Sequence, residues 1–181
     1  MNVIETALPG VLIVEPKVFG DSRGYFYESF NERRFAELVG GQWCFVQDNH
    51  SKSARGVLRG LHYQIEHAQG KLVRVVAGEV LDVAVDLRRS SSNFGKSVAI
   101  RLNAEQKSQL WVPPGFGHGF VVLSETAEFL YKTTDYWYPE HERSIAWNDP
   151  DLAIDWCLEQ APTLAKKDAN APRLRDAQVY K

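Results

Sequence analysis

Two histidines in strand-like segments, His62 and His118, have the right side chain for either metal binding or proton transfer. Metal-binding small β-barrels often hold the ion with a His-x-His pair, a carboxylate and a distant third histidine. The distant element is present, because Pro113, Gly115 and His118 form P-x-G-x-x-H, but Gln64 stands where a second histidine should follow His62. Two imidazoles without a third ligand hold a divalent ion poorly. The ligand count therefore argues against a metal site.

Proton transfer is the other chemistry open to these residues. A neutral histidine suits proton abstraction near neutral pH, above all when a carboxylate orients it. A carbon acid also needs a cation at the developing enolate oxygen, and inversion of a stereocentre needs an acid on the opposite face. His62 as base, Lys71 as cation and Tyr131 as acid fit these roles. Each residue also has a structural interpretation, as a satisfied core histidine, a solvated strand end and a packed tyrosine, and the pattern alone leaves both open.

Cationic residues are concentrated in the first half of the chain, although the net charge is −2. Guanidinium groups bind phosphate in a bidentate manner, and aromatic rings can stack on a nucleobase. This combination favours a phosphate-bearing substrate that contains a ring, with a solvated basic face as the alternative. The cations are Arg23, Lys52, Arg55, Arg59, Lys71 and Arg74, and the aromatic residues are Phe19, Tyr25, Phe26, Trp137 and Tyr138.

Apolar residues alternate with a period of two from about residue 43 onward, which predicts β-strands. The alternation is clear in EVLDVAVDLR, SVAIRL and AEFLYKTT, and turn residues such as Pro113-Pro114-Gly115 separate the runs. Many short strands at this spacing are typical of a sandwich or barrel. We therefore expect an all-β protein with an antiparallel jelly-roll barrel and short peripheral helices.

One helix is predicted in the segment NERRFAELVGG, outside the main fold. Asn31 can cap it, and Gly40 can end it in the left-handed conformation. Phe35, Leu38 and Val39 form a single apolar stripe between these ends.

The segment after residue 147 has a different texture. Leu152, Ile154 and Trp156 alternate and predict one more strand, which a short helical piece and a C-terminal arm should follow. The chain has no repeat, linker or low-complexity tract. We therefore expect one domain over residues 1–181, with the arm beginning at about residue 150.

Composition excludes several classes of protein. The net charge gives no bulk attraction to nucleic acid or to an anionic membrane. The longest N-terminal apolar run, Val11–Val14, is too short for a signal peptide or a membrane span. Cys44 and Cys157 lack metal-ligand spacing and are expected to be free and mostly buried. These features predict a cytoplasmic protein in a reducing compartment.

Seven segments, taken in order, resemble the dTDP-4-dehydrorhamnose 3,5-epimerase family. They are RGYFYESFN (23–31), FVQDNHS (45–51), GVLRGLHYQ (56–64), QGKLVRVVAGEVLDVAVDLR (69–88), PPGFGHGF (113–120), EFLYKTTDYW (128–137) and ERSIAWNDP (142–150). The resemblance extends from about residue 8 to about residue 172, and VLRGLHYQ together with QGKLVRV is highly specific. It implies a metal-free cupin-type jelly roll without a cofactor. It also implies a homodimer in which the partner's N-terminal strand helps to complete each sheet.

The resemblance further implies an isomerase that inverts C3 and C5 of dTDP-4-keto-6-deoxyglucose to give dTDP-4-keto-rhamnose. This reaction belongs to dTDP-rhamnose biosynthesis, which supplies sugars such as those of lipopolysaccharide. Matched by motif, His62 is the base, Asp168 of KKDA orients it, Lys71 stabilises the enolate and Tyr131 is the opposite-face acid. Asp168 comes from the resemblance alone. Trp137 is the first candidate for the thymine ring and Phe26 the second, and the implied substrate contacts are Arg23, Phe26, Glu28, Gln47, Asn49, Arg59, Lys71, His118, Trp137, Glu142 and Lys167.

The chain departs from the family pattern at a few positions. Gly117 replaces the more common alanine before His118, Ser144 replaces the glycine of ERGI, and the segment between His62 and Lys71 is one residue shorter than in some members. None of these changes removes a catalytic group. Three alternatives stay open: an epimerase acting at C3 or C5 alone, a metal-dependent cupin oxygenase or isomerase, and a non-catalytic module that binds sugar nucleotides.

Overall fold

Strands dominate the computed structural model, which describes all 181 residues. The strands are β1 (Asn2–Glu5), β2 (Leu12–Glu15), β3 (Val18–Asp21), β4 (Gly24–Tyr27), β5 (Gln47–Ala54), β6 (Val57–Gln64), β7 (Lys71–Ala77), β8 (Glu79–Asp86), β9 (Ser97–Asn103), β10 (Gln109–Val112), β11 (Phe116–Val122), β12 (Thr126–Thr133), β13 (Glu142–Ser144) and β14 (Thr163–Leu164). The helices are α1 (Glu32–Val39) and α2 (Lys166–Ala169), and a 3-10 turn covers Leu174–Asp176. No helix has the length and apolar character needed to cross a membrane.

Two sheets form the body of the protein. The first has the strand order β1-β2-β10-β7-β12-β5, and the second has the order β13-β6-β11-β8-β9 with β14 added beside β6. The β14–β6 pair is parallel, while the other pairs in both sheets are antiparallel. Strands distant in sequence lie side by side, as in a jelly roll. The predicted all-β jelly roll with short peripheral helices is confirmed.

Alternate residues of facing strands fill the space between the sheets. Val73 and Val75 of β7 and Phe129 of β12 belong to the same buried cluster as Phe120 and Val122 of β11. Each fully buried side chain of this size contributes about 1.5–3 kcal/mol through burial. The alternation seen in the sequence is thus the pattern of a core between two sheets.

The C-terminal arm covers the outer face of the second sheet. Leu152 and Trp156 of the arm share a buried cluster with Leu61 and Tyr63 of β6. The predicted strand over this part of the arm is wrong, because the segment has no strand pairing and Ala153 has a φ of 46°. Its alternation reflects side chains packed onto the sheet from an irregular segment. The short helical piece predicted after it is confirmed as α2.

Helix α1 forms where it was predicted and packs on the outer face of the first sheet. The Asn31 side chain caps it by accepting a hydrogen bond from a backbone N–H of the first turn. Phe35 is buried edge-on against Trp111, whereas Leu38 is exposed, so the apolar stripe is narrower than predicted. Gly40 follows the helix at φ 79° and ψ 161°, which is a positive-φ extended conformation instead of the predicted left-handed one.

Both cysteines are free and exposed, so the prediction that they are mostly buried is wrong. Cys44 lies in the irregular segment after α1, and Cys157 lies in the C-terminal arm. Neither residue belongs to a strand, and the strands supply most of the buried core.

Candidate active site

A cavity of about 420 Å³ lies between the two sheets. Its walls come from β6 and β11 of the second sheet and from β5, β7 and β12 of the first, with α2 at one side. It contains all of the predicted site residues except three, which are described below. Those that line it are Gln47, Asn49, Arg59, His62, Lys71, His118, Tyr131, Trp137, Glu142, Lys167 and Asp168.

An extra residue in β6 places Arg59 and His62 on the same cavity wall. Side chains three residues apart on a regular strand point to opposite faces. Here the pairing of β6 with β11 shifts by one residue between Arg59 and His62, and such a bulge re-aims the side chains beyond it. Gly60 occupies the irregularity at φ 131°, and a Cβ at this position would lie 2.5 Å from the Gly119 Cα. Only glycine fits there, and the spacing R-x-x-H depends on it.

His62 and Asp168 form a dyad on this wall. His62 Nε2 lies 2.5 Å from Asp168 Oδ1, and the Asp168 side chain is buried. β14 pairs with β6 and leads directly into α2, which brings Asp168 to a histidine 106 residues away. A carboxylate in this position fixes the ring tautomer and stabilises the imidazolium that forms when the ring accepts a proton. Because Nε2 faces Asp168, Nδ1 is the ring nitrogen left for proton abstraction.

His118 has a buried carboxylate of its own. Its Nε2 lies 2.8 and 3.1 Å from the two carboxylate oxygens of Asp82, on the neighbouring strand β8, and both side chains are buried. His118 is paired directly with His62 across the β6–β11 ladder. No group of three or more His, Cys, Asp or Glu side chains is placed so that it could share a metal ion.

Tyr131 lies on the opposite wall, on β12 of the first sheet. Burial raises the pKa of its hydroxyl, the Glu142 carboxylate raises it further, and Arg59 acts in the opposite direction. The phenol is therefore protonated at neutral pH. A protonated phenol opposite a histidine dyad can serve as a general acid.

Lys71 begins β7, and its Nζ lies 3.4 Å from the backbone carbonyl oxygen of His62. Burial lowers the pKa of Lys71 to about 8, and the Asp82 and Glu142 carboxylates partly oppose that effect. At neutral pH most of the ammonium is charged and poorly hydrated. Such a cation interacts strongly with an anion that develops beside it.

Further cations and an exposed aromatic ring surround the dyad. Arg59 Nε and Nη2 donate to Ser53 Oγ at 3.2 and 3.1 Å, which fixes the guanidinium group. Lys167 Nζ lies 3.0 Å from each carboxylate oxygen of Glu142. Trp137 also lines the cavity, with 54% of its surface exposed. Phosphate groups and a flat heterocycle are the chemical groups that such a lining binds.

Arg23, Phe26 and Glu28 lie outside the cavity. The first two belong to a separate hairpin of β3 and β4, where Phe26 is 71% exposed and Arg23 pairs with Asp21 at 2.5 Å in solvent. Glu28 follows the hairpin and accepts a hydrogen bond from the Asn31 side chain. A single copy of the chain does not bring these three predicted substrate contacts to the other eleven.

Several residues of the site were not predicted. Asp82, which pairs with His118, is a buried carboxylate between apolar neighbours in β8, and this contrast is a sequence signal that could have identified it. Gln64 is also buried, but it ends a strand that already contains Arg59 and His62 and therefore does not stand out. The types of the other cavity residues carry no comparable signal. They are His50, Ser51, Gln69, Gly119, Phe120, Phe129 and Ala165.

Known proteins match this chain over nearly its whole length. Residues 5–176 match the model of a family described as dTDP-4-dehydrorhamnose 3,5-epimerase. A dTDP-4-dehydrorhamnose 3,5-epimerase from Pseudomonas aeruginosa is 62% identical over 180 residues, which cover 99% of each chain. The crystal structure of dTDP-6-deoxy-D-glucose-3,5-epimerase from Legionella pneumophila Philadelphia 1, in complex with dTDP-4-keto-L-rhamnose, is 52% identical. That match covers 99% of this chain and 98% of the other, with a TM-score of 0.96.

A solved structure of an enzyme with a narrower activity is less similar. The 3'-monoepimerase from Streptomyces bikiniensis, in complex with dTDP-quinovose, is 34% identical with a TM-score of 0.89. The match covers 97% of this chain and 88% of the other. The chain is thus more similar to the two 3,5-epimerases than to this single-site enzyme.

Proposed function

Because this chain belongs to the dTDP-4-dehydrorhamnose 3,5-epimerase family and is an isomerase of dTDP-rhamnose biosynthesis, we propose that His62 and Tyr131 carry its two proton transfers. The substrate is dTDP-4-keto-6-deoxyglucose, in which C3 and C5 lie on either side of the ketone. One observation carries the proposal: the His62–Asp168 dyad lies on one cavity wall and Tyr131 on the other. Inversion requires a base and an acid on opposite faces of the sugar ring.

In the first step, His62 Nδ1 removes the proton from C3 or C5. The ketone makes these C–H bonds acidic, because the electron pair of the broken bond forms a C=C bond and the charge moves to the ketone oxygen. Asp168 stabilises the imidazolium, and the Lys71 ammonium stabilises the enolate oxygen. No electron leaves or enters the substrate, so the reaction needs no redox cofactor.

In the second step, Tyr131 donates its proton to the opposite face of the same carbon. The enolate returns to the ketone, and the centre is inverted. His62 then loses its proton to solvent and the tyrosinate regains one, so the enzyme returns to its starting state. The net change is the replacement of one substrate hydrogen by a hydrogen from solvent, and the same pair serves the second centre.

The remaining cavity residues bind the nucleotide and the sugar in this proposal. Arg59 and Lys167 provide positive charge for the diphosphate, and Trp137 stacks on the thymine ring. This local charge allows a chain with a net charge of −2 to bind an anion. The polar contacts to sugar and nucleotide are Gln47, Asn49, His118 and Glu142.

We further propose that the enzyme is a homodimer whose hairpins cross between subunits. The β3–β4 hairpin leaves Phe19, Tyr25 and Phe26 exposed by 53%, 63% and 71%. Exposed aromatic clusters of this kind are typical of protein interfaces. A hairpin that reaches the cavity of a second copy would bring Arg23 and Phe26 to a substrate, with Glu28 directly after it.

We also propose a cytoplasmic location. Both cysteines are free and exposed, and exposed thiols persist in a reducing compartment. Neither cysteine has a role in the proposed reaction.

Turnover of dTDP-4-keto-6-deoxyglucose in deuterated water, with elemental analysis of the enzyme, tests the proposed reaction. We expect deuterium at both C3 and C5, no exchange with His62→Ala, and slower product formation than exchange with Tyr131→Phe. Label at one carbon only would instead identify a single-site epimerase, and activity that depends on a stoichiometric metal would identify a metal-dependent cupin. Binding of the substrate without any exchange would reduce the protein to a sugar-nucleotide-binding module.

A further inference from the structure

Gln64 is a buried polar residue that the proposed reaction does not use. It ends β6, two residues after His62, and is only 3% exposed. Its Nε2 donates to the His67 carbonyl at 2.7 Å and to the Tyr136 carbonyl at 3.1 Å, and its Oε1 accepts from the Tyr138 N–H at 2.7 Å. All three partners are backbone groups of two loops that border the cavity strands.

Two of these bonds lie on either side of Trp137. The Trp137 N–H itself donates to Gln47 Oε1 at 3.1 Å. Two glutamine side chains therefore hold the backbone at the three consecutive residues 136–138. The indole ring they carry is half exposed and lines the cavity. The loop is fixed through its main chain, while the ring stays available for a ligand.

We propose that Gln64 is a positioning residue for nucleotide binding, because it fixes the loop that presents Trp137 to the nucleobase. The inference rests on the proposed stacking role of Trp137. Only an amide of this length supplies both the donors for the two carbonyls and the acceptor for the Tyr138 N–H. A ring that is already oriented binds more tightly than one that must be ordered at the moment of binding.

The test is a double-mutant cycle between Gln64→Met and Trp137→Ala, with the dissociation constant of dTDP measured by calorimetry. Methionine has a similar length but can neither donate nor accept these three bonds. In the wild-type background we expect Gln64→Met to raise this Kd about tenfold. In the Trp137→Ala background we expect a change of less than about twofold, because the ring that Gln64 positions is absent.

Steady-state kinetics and a matched control separate positioning from damage to the strand. Gln64→Met should raise KM while kcat stays within about twofold of wild type, because the ring does not touch the reacting carbons. Tyr63→Phe is the control: it removes a buried bond from the next residue of β6, the 2.5 Å hydrogen bond that the Tyr63 hydroxyl donates to the Gln178 carbonyl. This variant should lower Tm and leave the dTDP Kd unchanged.

The outcomes distinguish this inference from the proposal on which it rests. An unchanged Kd in Gln64→Met beside a raised Kd in Trp137→Ala would overturn the role of Gln64 alone. An equal effect of Gln64→Met in both backgrounds would show that Gln64 does not act through Trp137. If Trp137→Ala leaves the dTDP Kd unchanged, Trp137 does not stack on the nucleobase, and the inference about Gln64 fails with it. The proposed chemistry of His62 is tested separately by deuterium exchange.

Discussion

Replacing Lys71 should change the pH dependence of catalysis in a way that identifies its role. Burial lowers the pKa of this ammonium from 10.5 to about 8. About nine tenths of the side chain is then charged at pH 7 and about one tenth at pH 9, by the ordinary titration of a single group. If the charged form stabilises the enolate, kcat/KM should fall about tenfold for each pH unit above 8, because kcat/KM reports the ionisation of free enzyme.

Two variants of Lys71 test this explanation. Lys71→Arg keeps a positive charge across the range, since a guanidinium does not lose its proton at these pH values. In this variant kcat/KM should therefore no longer fall above pH 8, even where the different shape of the side chain lowers the rate. In Lys71→Met, kcat/KM should also not fall above pH 8, but it should be lower by about 10²- to 10³-fold at all pH values, as expected when a group that stabilises an oxyanion is removed. If kcat/KM of Lys71→Arg still falls about tenfold for each pH unit above 8, deprotonation of Lys71 is not the cause of that fall and the assignment is refuted.

Deprotonation of Lys71 should raise the stability of the protein, although it lowers kcat/KM. The pKa is lower in the folded protein than in the unfolded chain, so between about pH 8 and 10.5 the unfolded chain binds more protons. The free energy of unfolding contributed by Lys71 therefore rises with pH across this window. Below pH 8 the buried charge costs about 3 kcal/mol, since each tenfold change in an ionisation constant corresponds to about 1.4 kcal/mol. Urea unfolding should find Lys71→Met more stable than wild type at pH 7, with a smaller difference at pH 10.

Two further changes test the dyad and the dimer. Asp168→Asn keeps the shape of the side chain but removes the negative charge next to His62. We therefore expect kcat to fall by about 10²- to 10⁴-fold while the dTDP Kd stays unchanged. An unaltered kcat would show that the 2.5 Å contact between His62 and Asp168 has no catalytic role. Mixing inactive His62→Ala with impaired Arg23→Ala subunits should restore up to about a quarter of wild-type activity, because half of the dimers would then contain one complete site. No recovery after subunit exchange would show that Arg23 does not complete the site of the partner subunit.

The fold could be predicted from the sequence largely because its signal is local. Alternation along β8 predicted a strand, and the structure has one there. The polar positions of the alternation, Asp82 and Asp86, are buried as well, so both faces of this strand are covered. The same signal misled at Leu152–Trp156, where side chains also alternate between buried and exposed. There the sheet underneath imposes the alternation on an irregular segment, and Ala153 with its positive φ interrupts any strand. The period of the apolar residues indicates which of them are buried, but it does not show whether the backbone forms the hydrogen bonds of a strand.

The candidate site was predictable only in part, because its geometry depends on long-range contacts. Residue type and spacing suggested His62, Lys71 and Tyr131, but no local pattern pointed to Asp168, whose position depends on the β14–β6 pairing. Spacing alone would also have placed Arg59 and His62 on opposite faces, since the extra residue in β6 cannot be read from composition. Asp168 was identified only through the resemblance to the family, and the bulge was identified only from the structure.

The two-sheet architecture itself explains how one base and one acid can invert a centre. Facing sheets pack about 10 Å apart, which leaves room for a sugar ring with a proton donor or acceptor in contact on each side. A site built on one sheet could present His62 and Tyr131 only to the same face of the ring, and the proton would then return to the face it left. Because His62 lies in β6 of one sheet and Tyr131 in β12 of the other, a sugar ring bound between them would meet the proposed base and the proposed acid on opposite faces. The bulge in β6 turns Arg59 to the same wall as His62, so the cation proposed to bind the diphosphate and the proposed base lie side by side.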